Sequence, residues 1–368
     1  MIPEILLILN CGVNSMNENM MAAVLGPYGN IQWKQLPKPD ISNKQVLVRV
    51  HYTGICGSDQ HIFKGDFDPR TPIPFAQGHE FAGVIERVGG EVKNLGYGDH
   101  VTVDPIIPCG QCVACGRGFY SACTSLKLLG VDMNGGFAQY VAADASMVYK
   151  LDKRIPLHHA ALIEMYSIGF HACNRAGLQP EDTVLIWGGG RIGHSIAQAV
   201  RTRNQKPIFM VDIIEERLQI ARRYDKTIIP VLLQREDPMQ IIRKETGGEG
   251  VDIAFEAVGH AQIVPDRPNP IRGCIQAIRG RGTVCVLGLA DDPAPVVFKE
   301  LIWKEGQIIA SRVSHGEFGE AGKALAAGTL DPDALITKIL PVSRAMSAFE
   351  LLDNYPQQIL KIVLDLTK

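Results

Sequence analysis

The stretch TVLIWGGGRIGHSIAQAVRTRN, residues 183–204, decides the fold. Thr183–Trp187 reads as a short buried strand, Gly188, Gly190 and Gly193 then form G-x-G-x-x-G, and a helical pattern follows. Glycines at that spacing permit a tight turn and let backbone N–H groups approach a pyrophosphate at the positive end of a helix. Asp212 closes the next strand, nineteen residues beyond Gly193, at the distance expected of an acid that accepts hydrogen bonds from the adenine ribose hydroxyls. Strand before, helix after and acid at that distance together predict a dinucleotide site. A carboxylate at Asp212 repels a 2′-phosphate, and Ile213 and Ile214 offer no cation, so NAD is expected rather than NADP. Arg217 is placed to reach the ribose or the adenine face. The candidates for cofactor contact are Gly188, Gly190, Arg191, Ile192, Gly193, Asp212 and Arg217, joined by Leu287, Gly288 and Leu289 after a later strand.

Downstream, PIFMVD, DKTIIPV, VDIAFEAVG and GTVCVLGL are short apolar runs separated by helical stretches, so the segment predicts an α/β doubly wound parallel sheet. Upstream, PLHHAALIEMYSIGFHACNRAG (156–177) reads as helical, with a helix start at Pro156. Residues 21–150 differ in texture. Short alternating runs such as QVLVRVHYTG and DHVTVDP, broken by Gly and Pro, predict a β-rich unit with irregular loops. The last sixty residues hold IIASRV, two helical stretches and the strand ILKIVLDL.

Composition narrows the function classes. With 37 Lys+Arg against 39 Asp+Glu and a net charge of −2, the chain has no basic field for nucleic acid and no polybasic run for a membrane surface. No apolar run is long enough to suggest a transmembrane helix. The opening MIPEILLILN lacks a basic n-region and carries Glu4, so it does not read as a secretory signal. Residues 1–20 are expected to be a disordered extension. Nine cysteines without an export signal do not suggest a disulfide framework, and a cytoplasmic setting is expected.

Four of those cysteines, Cys109, Cys112, Cys115 and Cys123, form C-x2-C-x2-C-x7-C in a glycine-rich loop. Four thiolates at this density suit a closed, structural Zn²⁺ site. An iron–sulfur cluster takes the same ligands, but there is no second cysteine cluster and the surroundings do not look like a ferredoxin. The lobe holds only Arg117 beside Phe119 and Tyr120, which is poor support for nucleic-acid binding. Cys56, His79, Glu80 and Glu164 are a looser set. Singly, Cys56 suits a small buried side chain, His79 a turn histidine and Glu164 an acid at a helix start, and no local spacing unites them.

GICGSD (54–59), GHEFAGVIERVG (78–89), the four-cysteine lobe, ALIE (161–164) and GGGRIG (188–193) occur in this order. Together they resemble the zinc-dependent medium-chain dehydrogenase/reductase family of the alcohol dehydrogenase superfamily, over almost all of residues 21–368. Glu80 together with Glu164, which stands where ethanol-type enzymes keep a cysteine, makes the chain similar to the sorbitol (polyol) and L-threonine dehydrogenase branches. The resemblance implies a GroES-like β-barrel catalytic domain from 21–168 plus 308–368 and a Rossmann NAD-binding domain at 169–307. It implies a catalytic Zn²⁺ near Cys56, His79, Glu80 and Glu164, one carboxylate exchanging with water, beside the structural zinc of the cysteine lobe. Ser58 and His61 would relay the alcohol proton.

The implied reaction is reversible NAD-dependent oxidation of a secondary alcohol: a polyol, sugar, sugar acid or cyclitol. L-threonine is the alternative substrate, and a non-catalytic scaffold that binds NAD and zinc is the alternative role. A homodimer or homotetramer is implied. The sequence departs from the family at Met165 and Tyr166, which are expected near the nicotinamide, and in a proline-rich insert at about 260–272, expected to touch either substrate or a neighbouring subunit, or to be a passive loop. Arg312 and His315 are candidates to meet substrate, with a structural role the stronger expectation.

Overall fold

The computed structural model describes residues 19–259 and 264–368. Two sheets organise them. The first is a mixed sheet of seven strands, running Val148–Lys150, His100–Val103, Glu80–Val88, Gln45–Gly54, Lys361–Asp365 and Ile336–Pro341, with Tyr140–Asp144 also pairing on Gln45–Gly54. All its pairings are antiparallel except Ile336–Pro341 on Lys361–Asp365. A three-stranded sheet (Ile31–Pro37, Asn19–Leu25, Phe75–Ala76) packs beside it around Phe81, Phe137, Phe349 and Ile362. The C-terminal strand Lys361–Asp365 lies next to Gln45–Gly54, so the two ends of the chain complete one unit.

The second sheet is wholly parallel, in the order Ile229–Leu232, Ile208–Asp212, Val184–Trp187, Val251–Glu256, Ile278–Val286, Gln307–Ala310. Numbered along the chain this is 3-2-1-4-5-6, the Rossmann order, with its switch point between Val184–Trp187 and Val251–Glu256. Both faces are covered, and the alternation is legible residue by residue. Ile186, Met210 and Phe255 pack with the helices Ile163–Ala176 and Arg191–Arg201, whereas Leu185, Trp187, Phe209 and Val211 face the other layer with Ile242 and Ile275.

Several expectations are corrected. The strand Asn19–Leu25 pairs from Asn19 onward, so a boundary at 20/21 would cut it; residues 1–18 of the expected extension lie outside the described residues. The strand Gln307–Ala310 is hydrogen-bonded into the parallel sheet, so a boundary at 307/308 would likewise split a strand. The helical stretch after Pro156 is divided into Leu157–Ala160 and Ile163–Ala176 by a tight turn in which Leu162 N–H reaches back to His159 O, so Glu164 stands at a helix start as expected. Tyr166 is fully buried, its hydroxyl donating to Gln198 Oε1 at 3.1 Å between two helices, so it does not line a substrate pocket. Met165 is equally buried.

Of the proline-rich insert, residues 260–263 lie outside the described residues. The remainder folds onto the parallel-sheet unit. Arg267 donates to Leu233 O, and Pro270 opens a helix capped by Asn269.

Candidate active site

Strand register gathers the first cluster. Gly54 ends the strand Gln45–Gly54 and sits opposite Glu80 on one neighbour and Val363 on the other. Cys56 follows Gly54 by two residues, His79 precedes Glu80, and Lys361 lies two residues before Val363, so three distant segments meet at one sheet end. Gly54 must be a glycine here: a Cβ would overlap the Glu80 carboxylate and press on Lys361 Cε at 3.0 Å. Cys56 is the N-cap of the helix Gly57–Lys64, and Asp59 in its first turn accepts from Cys56 N–H at 2.8 Å. The ligand atoms of Cys56, His79 and Glu80 lie within 4.8 Å of one another. Glu164, in the first turn of Ile163–Ala176, is buried beside them but is not within that spacing of all three.

The donor set fits a cation. Burial opposes charge on His79, yet Asp59 and Cys56 outweigh it and hold the imidazole well above its usual range. Burial pushes the Glu164 carboxyl up to about 8, with Glu80 adding repulsion and His79 opposing. Glu164 Oε2, His79 Nδ1 and Asp59 Oδ1 are buried without a hydrogen-bond partner. His79 Nδ1 lies 3.6 Å from Asp59 Oδ1, which leaves Nε2 toward Ser58 Oγ at 3.4 Å. A carboxylate behind the ring is the usual way to orient a metal-binding histidine. Thiolate, imidazole and carboxylate together suit zinc.

Lys361 and Asp59 were not among the sequence candidates. Lys361 is fully buried, paired with the Glu80 carboxylate and donating to Ile55 O at 3.1 Å. Its only trace in the sequence is a lone cation inside the apolar run ILKIVLDL. His61 stands apart from the cluster on the outer side of its helix, exposed and bonded to Asp66 at 2.7 Å.

The glycine turn is tightly closed at two of its glycines and open at the third. Gly188 has φ +112°, and a Cβ on Gly193 would overlap Gly188 O, so the turn closes only with glycine at both places. Gly190 caps the helix Arg191–Arg201, and the space its side chain would occupy is open. Asp212 accepts from Gly189 N–H at 2.6 Å and Ile214 N–H at 2.7 Å, which fixes the carboxylate at the end of its strand, with Arg217 Nη1 at 3.7 Å. Leu287 and Gly288 N–H both donate to Glu256 O, and Leu289 projects into solvent at the same sheet end. Arg191 joins the two sites: its guanidinium donates to Gln60 Oε1 at 2.9 Å and Ile55 O at 3.5 Å, on the segment that carries Cys56.

The sulfurs of Cys109, Cys112, Cys115 and Cys123 also lie within 4.8 Å of one another. Backbone N–H groups of Cys115 and Thr124 draw the Cys112 thiol down to about 5, and Cys109 N–H draws Cys123 down. Four thiols closing on one point fit a structural zinc. Arg312 is spent holding this lobe, donating to Ser121 O and Cys123 O at 3.3 Å. His315 packs on Tyr120 with ring centroids 4.2 Å apart. The structure gives both a structural role.

Residues 42–153 match the family described as the alcohol dehydrogenase GroES-like domain, and residues 192–327 the family described as zinc-binding dehydrogenase. Sorbitol dehydrogenase of Bacillus subtilis is 30% identical over 94% of this chain and 97% of its own length. L-idonate 5-dehydrogenase of Vitis vinifera is 34% identical over 87% of each chain. The solved structure of the alcohol dehydrogenase RspB of Escherichia coli, complexed with NADH, matches with a TM-score of 0.84 at 27% identity, covering 94% of this chain and 99% of that one. The chain belongs to the zinc-dependent medium-chain dehydrogenase family. It is a zinc- and nicotinamide-dependent alcohol dehydrogenase, and among the described residues no helix is long and apolar enough to cross a membrane.

Proposed function

We propose that this protein oxidises a secondary alcohol of a polyol, sugar, sugar acid or cyclitol, with NAD as hydride acceptor. The observation that carries the reading is Arg191, which spans from the first turn of the helix after the glycine turn to the segment bearing Cys56, so that a dinucleotide held at that turn would lie near the proposed metal ligands. Cys56 and His79, with Glu80 or Glu164, would hold a zinc ion that supplies an electrophile to acidify the substrate hydroxyl. Ser58 Oγ, 3.4 Å from His79 Nε2, would take the proton, and the exposed His61, bonded to Asp66, would pass it on toward solvent. Hydride acceptance is the nicotinamide's own chemistry, and the chain's part is to orient it.

Two carboxylates at the cluster make a harder donor set than a second thiolate, which suits hydroxyl-rich substrates. The sorbitol and idonate dehydrogenases among the relatives support the same class. A complete ligand set beside a complete glycine turn disfavours a scaffold without turnover. A reducing, cytoplasmic setting suits a lobe of four thiols. The decisive experiment is a screen of NAD reduction on the zinc-replete protein with polyols, sugar acids, cyclitols and L-threonine. Turnover of L-threonine alone, or of none, overturns the substrate reading.

Cofactor choice rests on Asp212. Charge-assisted hydrogen bonds contribute about 1.5–3 kcal/mol, so Asp212→Ala is expected to raise KM for NAD by roughly 10- to 100-fold and to narrow the preference over NADP. Steady-state kinetics with both cofactors checks this; an unchanged KM for NAD counts against it.

The oligomer is proposed as a dimer through the edge of the parallel sheet. The edge strand Gln307–Ala310 pairs on one side only among the described residues, and Phe298, Ile302 and Trp303 beside it are 64%, 68% and 77% exposed. An open strand edge next to an apolar patch is a surface that calls for cover, and a two-fold axis lets two copies cover each other. Trp303→Glu should shift the protein toward monomer in sedimentation velocity. An unchanged sedimentation coefficient would count against this face.

A further inference from the structure

We propose that His158, His159 and Asp333 form an additional divalent-metal site, for zinc or a similar borderline transition-metal ion, distinct from the catalytic cluster and the cysteine lobe. Pro156 caps the one-turn helix Leu157–Ala160, which places the two histidines side by side with ring centroids 4.2 Å apart. Tyr52 meets the His158 ring edge-on at 5.6 Å and fixes its orientation. Asp333 comes from a separate, tightly wound turn. There Ala334 N–H bonds to Asp331 Oδ1, and both Leu335 and Ile336 N–H bond to Pro332 O. That turn is anchored from the parallel-sheet unit, since Asp331 N–H donates to Gln198 Oε1 at 2.8 Å and Gln198 Nε2 donates to Asp331 O at 3.1 Å.

One ligand atom from each of the three residues lies within 4.8 Å of the other two, and His159 Nε2 is already 2.8 Å from Asp333 Oδ1. Zinc bonds of about 2.0–2.2 Å put donor atoms roughly 3.3–3.6 Å apart in a tetrahedron, so side-chain shifts of at most about 1.5 Å, chiefly by the exposed Asp333, close the site. Two imidazoles and a carboxylate suit zinc, copper or nickel better than magnesium or calcium.

The surroundings leave room for the remaining coordination positions. His159 and Asp333 line a cleft of about 550 Å³ that reaches the helices ending at Arg201 and Tyr224. The other polar side chains there are engaged elsewhere. Arg201 bonds Asp225, Thr227 and the carbonyls of Asn204 and Lys206, and Tyr224 OH bonds His194. Without an ion, the His159–Asp333 contact is a surface pair of the kind that contributes about 0–1 kcal/mol. With one, it ties the segment leading into Glu164 to the turn held by Gln198.

The test uses the zinc-replete enzyme, freed of loosely held ions by gel filtration with a weak chelator. Equilibrium dialysis against micromolar Zn²⁺ is expected to add one equivalent per chain and to raise Tm. His158→Ala/Asp333→Ala should keep the resident zinc and the activity but lose both the added equivalent and the shift in Tm. His159→Ala, measured in parallel, should behave the same way and covers the case of a double variant that fails to fold. Wild-type protein that takes up no further zinc, or variants that still do, overturns the proposal. The comparison is a difference between variant and parent, so it stands apart from the reading of the catalytic cluster, whose failure would appear as a low resident zinc content in both.

Discussion

His79→Gln is expected to lower kcat/KM for alcohol oxidation by about a thousandfold or more and to reduce resident zinc from two ions per chain to one. The amide can still face Asp59, so the change removes a donor from the cluster while sparing much of the buried polar network. An electrophile that stabilises developing charge on a reacting oxygen is worth several kcal/mol, and about 4 kcal/mol is a factor of roughly a thousand in rate. Zinc content by elemental analysis separates this from general unfolding, because the four cysteines sit on their own small apolar base of Ile106, Cys123 and Leu126 and should keep their ion. A variant that retains two zinc ions and parental turnover would show that His79 is not a ligand.

The parts of this protein that were readable in sequence are those whose physics is local. A glycine turn needs strand, turn and helix within a dozen residues, and four thiols in one loop announce their own convergence. Alternation of short apolar strands and helices predicts a doubly wound parallel sheet, but the order of its strands is legible only in the structure. The candidate metal cluster is different: its spacing is created by strand register between Gly54, Glu80 and Val363, which pairs residues more than three hundred positions apart and leaves no periodic mark. Only resemblance to a family brought Cys56, His79, Glu80 and Glu164 together in advance. The burial of Tyr166 is illegible for a related reason. Its position next to the ligand-bearing turn suggested the pocket, but consecutive helical residues point about 100° apart, and its ring turns into the helix packing against Gln198. Lys361 escaped notice because a single cation in an apolar strand reads as an edge or a snorkelling side chain until the neighbouring strands are known.

Lys361→Met is expected to destabilise the protein by about 3–5 kcal/mol, the cost of breaking a buried ion pair from one side, seen as a fall in Tm of roughly 4–7 °C. Lys361 and Glu80 are 0% and 1% exposed, so water cannot replace the lost partner, and Ile55 O loses its donor as well. Methionine fills most of the volume, so the loss reports charge and not a cavity. Pairing the change with Glu80→Gln removes the stranded carboxylate, and the double variant should recover a large part of the loss; that non-additivity identifies the pair as the cause. The same variants bear on which carboxylate the metal uses. Glu80 has a counter-cation of its own, whereas Glu164 Oε2 has no partner. If Glu164 is the standing ligand, Glu80→Gln should keep its zinc while Glu164→Gln releases it to a chelator. If Lys361→Met leaves thermal stability unchanged, Glu80 does not depend on the lysine, and the metal cluster must supply its counter-charge.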